Sequence, residues 1–298
     1  AVSEEWFQAG VLARKVSGNL VAEAEEWAML GCVMRQVSLL AQSLRDIQEH
    51  GRPQIPGPVR TRADGQVTAQ VFPIRRYDRL YIQGTTAEVW MQPGITEEEM
   101  LQSQARFYHD DQPQGRVCLV LGAGNSMNTP PVDVLNKLFV AGQVVMLKTN
   151  PVNDYLGPIL SKAFRELISR GFLRIVYGGA REGGYLCDHP YVDAIHMTGS
   201  DKTYETILFG PGEEGARRKA ERRPLLKKPF SGELGCVTPL IIVPGAWDAS
   251  EIQEQAEKVA LWLTVNAGFN CLTPRVLVQW AGWDQRGEFN QALADGLA

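Results

Sequence analysis

From Pro113 onward the sequence repeats one unit: a short apolar run, a Gly-containing turn, then an amphipathic stretch. Arg116–Leu121 is apolar and ends in Gly122-Ala-Gly124; the pattern then predicts a helix over Pro130–Val140 and a strand over Gln143–Lys148. A longer helix is predicted over Val152–Ser169, stopped by Gly171, followed by a strand at Phe172–Tyr177. A short helix at Glu182–Cys187 and a strand at Asp193–Met197, ending in Thr198-Gly199-Ser200, complete the run. Parallel strands need crossover connections, and the helices that supply them cover both faces of the sheet. The alternation therefore predicts an α/β fold with a Rossmann-like parallel sheet and helices on both faces. It also says where a ligand binds, because nucleotides take the carboxyl ends of such strands, where Gly-rich turns let phosphates approach backbone amides.

Before this run, Val21–Ile47 has helical periodicity, and Trp6 and Trp27 read as core anchors of one or two amphipathic helices. A Pro/Gly-rich link at Gly51–Pro58 leads to alternating segments at Gln66–Ile74 and Thr85–Gln92, read as a long β-hairpin. Glu97–Arg106 is a short polar helix, and no chemical motif is visible before about residue 112. After the run, Ala249–Thr264 is helix-like and leads into the loop Asn266-Ala-Gly-Phe-Asn-Cys271, then a strand at Val276–Val278. A thiol in such a loop is either a small buried hydrophobe or a presented nucleophile.

The five cysteines, Cys32, Cys118, Cys187, Cys236 and Cys271, are widely spaced and odd in number, which argues for reduced thiols in a cytoplasmic protein. Four scattered histidines supply no metal cluster. A net charge of −4 gives no reason to expect a nucleic-acid or membrane partner, and no apolar run approaches membrane-spanning length.

Gly122-Ala-Gly124-Asn-Ser-Met127 starts like the dinucleotide fingerprint, but Met127 stands at the third Gly and the next strand ends in Lys148 instead of an acid. A different pattern fits. Asn125 lies 23 residues before Lys148. Ala141-Gly142 precedes Val144-Val-Met-Leu-Lys148, and His189-Pro-Tyr-Val-Asp193 precedes Ile195 and Thr198-Gly199-Ser200. Glu233-Leu-Gly235 precedes Pro239, and Asn266-Ala-Gly268 precedes Cys271. In this order and spacing, Pro113 to Val278 resembles the aldehyde dehydrogenase superfamily.

The resemblance implies NAD(P)-dependent oxidation of an aldehyde substrate to a carboxylic acid. Cys271 is implied as the nucleophile, because an aldehyde becomes a good hydride donor only as a tetrahedral adduct. The side-chain amide of Asn125 is implied to hold the oxyanion with the backbone N–H of Cys271, and Glu233 to activate the hydrolytic water. Lys148, Thr198, Gly199, Ser200, Gly122 and Gly124 are implied to line the site of the cofactor, NAD or NADP. By residue type alone, Asn125 is a turn former, Lys148 a solvated strand end and Glu233 an exposed turn carboxylate. The other four cysteines are read as structural, and Trp247, Trp262, Trp280 and Trp283 as packing or substrate-tunnel residues.

Departures from the family pattern are specific. Gly124 stands where a Trp is common, and Tyr204 where a cofactor-loop Gly is expected, so Tyr204 blocks or reshapes the pyrophosphate site. Pro151 replaces an acid, and Arg275 lies one residue closer to Cys271 than the pattern has it. A basic insertion containing Arg217, Arg218, Lys219, Arg222, Arg223, Lys227 and Lys228 is read as a solvated loop. The sequence stops 27 residues past Cys271, so it is read as a fragment of a longer chain that forms homo-oligomers at full length. The expected organisation is a nucleotide-binding domain over 1–234, including the helical and hairpin arm, and the start of a second α/β catalytic domain over 235–298. Two alternatives accompany this reading: an acylating, coenzyme A-dependent relative, and a non-catalytic nucleotide-binding remnant.

Overall fold

The computed structural model describes residues 2–298. The chain forms two compact units. One comprises Ala1–Val33, Arg116–Leu138 and Gln143–Ala298; the other comprises Met34–Gly115 and Phe139–Gly142. Helix α1 (Ser3–Arg14) carries Glu4 and Glu5 in its first turn and Arg14 in its last, matching the helix dipole, and stops where Lys15 turns left-handed at φ 57°. Helix α2 (Leu20–His50) follows. Trp6 is buried as expected, but Trp27 is 42% exposed and stacks on Phe7 instead of anchoring the core.

The smaller unit holds β1 (Val59–Thr61), β2 (Val67–Phe72), helix α3 (Arg76–Tyr81), β3 (Ala87–Trp90) and helix α4 (Glu97–Ser103). Its strands form an antiparallel sheet in the order β1-β2-β3, so the expected hairpin is present as β2–β3, with α3 in the connection and β1 added at the edge. Val67, Ala69 and Met100 make its small core. Helix α4 begins at a capping box: the Glu99 N–H donates to Thr96 Oγ1 at 3.2 Å, and the Thr96 N–H donates to Glu99 Oε2 at 2.8 Å. Buried Asp78 accepts from Arg35 at 2.6 and 3.1 Å and from the N–H groups of Ile74 and Arg75 at 2.9 and 2.8 Å. The Arg35 guanidinium, with these amides, holds the Asp78 carboxyl down to about 2.

The larger unit continues through β4 (Val117–Leu121), α5 (Thr129–Phe139), β5 (Val144–Lys148), α6 (Gly157–Ala163), α7 (Arg165–Ser169), β6 (Leu173–Val176) and α8 (Ala180–Asp188). Then come β7 (Ala194–Gly199), α9 (Asp201–Phe209), α10 (Gly212–Ala220), β8 (Phe230–Leu234), β9 (Pro239–Ile242), α11 (Ala249–Thr264), β10 (Val276–Gln279) and α12 (Arg286–Leu297). Five parallel strands form one sheet in the order β6-β5-β4-β7-β8. Side chains alternate along each strand, so the sheet builds two cores. Cys118, Val120, Val145 and Leu147 pack with α1, α5 and α6 on one face; Leu119 and Ile195 pack with Cys187 and Ile207 on the other. The α/β class with helices on both faces is thus the observed one.

Two expected segments differ. The helix over Val152–Ser169 is broken into a 3₁₀ turn (Pro151–Leu156), α6 and α7, because Pro158 supplies no N–H and Asn153 is non-helical at φ −109° and ψ 15°. The basic insertion is partly helical: Arg217 and Arg218 sit in α10, paired with Glu214 at 2.7 and 3.0 Å. Glutamates at its start and basic residues at its end favour the helix. Past the sheet, β9 and β10 pair in parallel, and α11 and α12 cover them around Ile242, Ile252, Val259, Trp283 and Phe289. Helix α11 spans the residues expected, fixed by a capping box between Asp248 and Glu251. Trp247 and Trp283 pack in this core, whereas Trp262 and Trp280 are 49% and 64% exposed. No helix among the described residues is long and apolar enough to cross a membrane.

Because the native carboxyl of Asp78 stays ionised down to about 2, its contribution is present above the unfolded value of about 4 and is lost as pH falls through 2. Asp78→Asn is expected to lower Tm at neutral pH, with the deficit shrinking below about pH 4. Melting followed by circular dichroism checks this; a deficit that does not change with pH contradicts it.

Candidate active site

The cysteine loop leaves α11 through three consecutive left-handed residues: Asn266 at φ 55°, Ala267 at φ 51° and Gly268 at φ 73°. Asparagine and glycine adopt this conformation readily, while alanine does so at a cost of about 1–2 kcal/mol. Side-chain hydrogen bonds hold the turn. The backbone N–H of buried Asn266 donates to Glu25 at 3.1 Å, and its Nδ2 donates to the Asn125 carbonyl at 2.9 Å and to Asn270 Oδ1 at 3.2 Å. Arg275 donates to the Gly268 carbonyl at 2.7 Å, so the arginine that lies one residue early clasps the base of the loop.

Asn125 sits in the turn after β4, and its side-chain Nδ2 donates to the Phe269 carbonyl at 2.8 Å, two residues before Cys271. An asparagine amide carries two N–H donors, so this bond leaves one for another acceptor. The Asn125 carbonyl is held as well: Arg14 of α1 donates to it at 3.1 Å and also bonds Asn266 Oδ1. Arg14 is in turn fixed by Glu26 at 2.9 Å. Glu26 is 1% exposed; burial raises its carboxyl, and Arg14 opposes the rise. Its second oxygen, Oε2, has no hydrogen-bond partner and faces Gly10, where a Cβ would stand 2.5 Å away. A cavity of about 390 Å³ opens beside this cluster, walled by Arg14, Glu25, Asn125, Tyr155, Asn266 and Phe269.

Cys271 itself is exposed, and it is not among the walls of that cavity. Its carbonyl accepts from the Cys236 N–H at 3.2 Å, and the Arg275 N–H donates to the Val237 carbonyl at 2.9 Å. The segment after β8 is thereby tied to the cysteine loop. Glu233 lies on β8, in register with Thr198 of β7, and is solvent-exposed on a strand. Cys118 and Cys187 are buried, which pushes both thiols up to about 11 and makes them poor nucleophiles. Cys32 and Cys236 are exposed, unlike core-packing cysteines.

The candidate cofactor residues line up along the carboxyl edge of the sheet. Register aligns Val176, Lys148, Leu121, Met197 and Gly232 across β6, β5, β4, β7 and β8. Lys148 is buried and its Nζ donates to the Thr149 carbonyl at 3.0 Å, with burial lowering its amine. The Gly122 N–H donates to the Lys148 carbonyl at 2.9 Å. Gly199 ends β7, and Ser200 caps α9 by accepting from the Thr203 N–H at 3.1 Å. The Thr198 hydroxyl turns inward, donating to Asp133 at 2.9 Å. Gly124 lies apart from this row, packed so that a Cβ would meet the Asn150 side chain at 2.9 Å. Tyr204 stacks on Phe230 at 4.3 Å and covers Gly232, where a Cβ would meet its ring at 2.9 Å. It therefore packs over the middle of β8.

Sequence reasoning missed the N-terminal contribution to this site. Glu26 carries the legible signal: with Leu30 and Val33 it falls at i, i+4 and i+7 on a buried stripe, where a carboxylate needs a partner. Asp133, His196 and Ser231 were missed too. His196 Nδ1 bonds Ser231 Oγ at 2.8 Å, and its Nε2 lies 3.5 Å from Asp133.

The family model described as "Aldehyde dehydrogenase family" matches residues 84–296. The chain is 24% identical to aldehyde dehydrogenase family 3 member B1 of Homo sapiens over 163 residues, covering 55% of this chain and 31% of that protein. It is 30% identical to 4-trimethylaminobutyraldehyde dehydrogenase of Homo sapiens over 142 residues, covering 45% of this chain and 25% of that protein. Among solved structures, an NAD-dependent aldehyde dehydrogenase from Sinorhizobium meliloti superposes with a TM-score of 0.58 at 17% identity, covering 99% of this chain and 45% of that one. A mutant of aldehyde dehydrogenase C from Pseudomonas syringae, complexed with NAD+ and octanal, gives 0.55 at 18% identity, with 99% and 46% coverage. The chain belongs to the aldehyde dehydrogenase family. These alignments take in about a quarter to a third of the curated relatives' length and just under half of the solved chains.

Removing Arg14 leaves Glu26 buried without its cation. Arg14→Met is expected to cost about 3 kcal/mol at neutral pH. The cost is expected to shrink as pH falls, because burial raises the Glu26 carboxyl and eases its protonation. Urea unfolding at neutral and at acidic pH measures it; an equal loss at both contradicts the assignment.

Proposed function

We propose that this chain carries the nucleotide-binding part and the nucleophile loop of an NAD(P)-dependent aldehyde dehydrogenase that releases a carboxylic acid. The observation that supports this most is the Asn125 amide lying 2.8 Å from the Phe269 carbonyl, in the loop of the cysteine that matches the family's nucleophile position. We further propose 1–234 as the nucleotide-binding domain and 235–298 as the beginning of the catalytic domain.

The carboxyl edge suits a dinucleotide. Lys148 has three donors and uses one on Thr149, while Gly199 and the N-terminus of α9 leave backbone near the strand ends. Lys148 would hold ribose hydroxyls, and Thr198, Gly199 and Ser200 the pyrophosphate side, with Gly122 keeping the adjacent turn tight. Gly124 would shape the Asn125 turn instead. When bound, NAD or NADP supplies the hydride acceptor.

The chain's own groups do the rest. Cys271 Sγ, as thiolate, attacks the aldehyde carbon to form a thiohemiacetal. The free N–H of the Asn125 amide and the Cys271 N–H stabilise the oxyanion, worth about 3 kcal/mol for one such donor. Once the adduct carbon is oxidised, a thioester remains on Cys271. Glu233 takes a proton from water, which attacks that thioester and restores the thiol. A carboxylate at position 233 supports hydrolysis over transfer to coenzyme A, because transfer requires no water activation.

Reduced-cofactor formation with an aldehyde panel, with and without coenzyme A, tests the reading on the purified protein. Cys271→Ala is expected to lower kcat by about 10³-fold or more, and Glu233→Gln to slow acid release while leaving acylation of Cys271 detectable by mass. Turnover that survives Cys271→Ala, or that requires coenzyme A, overturns it.

A further inference from the structure

Cys236 occupies an unexpected place. It follows Gly235 in the turn between β8 and β9, and it lies across from the proposed nucleophile, 35 residues away in sequence. The Cys236 N–H donates to the Cys271 carbonyl at 3.2 Å, and the Cys236 thiol donates to the same oxygen at 3.4 Å. Bond lengths add at most about 1.5 Å on the nitrogen side and about 2.4 Å on the oxygen side, so the two Cα atoms lie within about 7 Å. That upper bound meets the outer limit of disulfide reach, and the Cys236 sulfur already lies against the Cys271 backbone. Both residues are exposed, so reagents reach both sulfurs. Thr238, whose Oγ1 lies 2.8 Å from Cys236 Sγ, sits in the same turn at φ 47°.

We propose that Cys236 and Cys271 form an intramolecular disulfide under oxidants of the hydroperoxide class, making the pair a site of reversible oxidative modification. The Cys271 thiolate attacks a peroxide oxygen; an S–O bond forms, the O–O bond breaks, and the alcohol or water leaves. The Cys236 thiolate then attacks the Cys271 sulfur; the S–S bond forms, the S–O bond breaks, and hydroxide leaves with the Cys236 proton as water. Two thiols lose two electrons and the hydroperoxide gains them. The cross-link needs only the two sulfurs. Its effect on turnover rests on Cys271 acting as the nucleophile.

Trypsin places the five cysteines on five separate peptides, with Cys236 on residues 228–258 and Cys271 on residues 259–275. Hydrogen peroxide treatment of an equal mixture of ¹⁵N-labelled and unlabelled protein, followed by non-reducing digestion, is expected to join these two peptides with loss of two hydrogens. The joined peptides are expected to carry one isotope only, and dithiothreitol to release them. In Cys236→Ser, sulfinic acid on Cys271 is expected to rise by about fivefold or more, because the trapping thiol is gone. Three results overturn the proposal: isotopically mixed cross-links, a Cys271 that pairs instead with Cys32, or sulfinic acid yields equal in wild type and Cys236→Ser. A cross-link without turnover in the reduced protein would uphold the disulfide and defeat the nucleophile assignment, so the two failures are distinct.

Discussion

A single guanidinium ties together segments that the sequence keeps far apart. Arg14 ends α1, pairs with Glu26 of α2, and reaches both the Asn125 carbonyl and the Asn266 side chain. Burying this ion pair carries a desolvation cost that its Coulombic attraction only partly offsets, so its value lies in geometry more than in stability. Without the clasp, the left-handed turn at Asn266 and Ala267 would keep its bonds to Glu25, Asn125 and Asn270 but lose its tie to α1. With it, the cysteine loop and the turn after β4 share one set of hydrogen bonds, and Asn125 can point its amide toward the loop.

The sheet contributes the other half of the arrangement. Parallel strands end together, and the register from Val176 to Gly232 brings β5, β4, β7 and β8 to one edge. Lys148, Gly122, Gly199 and Glu233 thus share that edge without contacting one another through side chains. Beneath it, Thr198, Asp133, His196, Ser231 and Lys137 form a connected polar network on the face shared with α5, with Lys137 Nζ 3.3 Å from Ser231 Oγ. Its buried members, Asp133 and His196, rigidify the elements that carry them.

Much of this was legible in the sequence because the signals are local. Strand periodicity and Gly-rich turns placed β4 through β7, and helical periodicity placed α11, whose start the structure shows fixed by Asp248 with Glu251. Breaks were harder. Val152–Ser169 has helical content throughout, and Pro158 alone signals that the backbone ladder is interrupted. Helix α10 hid in a basic stretch, because Glu214 with Arg217 and Arg218 reads as charge before it reads as a helical face. The partnership of Arg14 with Asn125 spans 111 residues, and that of Cys236 with Cys271 spans 35; no local pattern encodes either contact.

The clasp is the claim on which the site depends, and a thermodynamic cycle on Arg14→Met and Asn266→Ala measures it most directly. If the two side chains act through one another, urea unfolding of the single and double variants gives an interaction energy between about 0.5 and 3 kcal/mol. Losses that add to within about 0.5 kcal/mol would mean the two residues act independently, and the cysteine loop would not be fastened in the way described here.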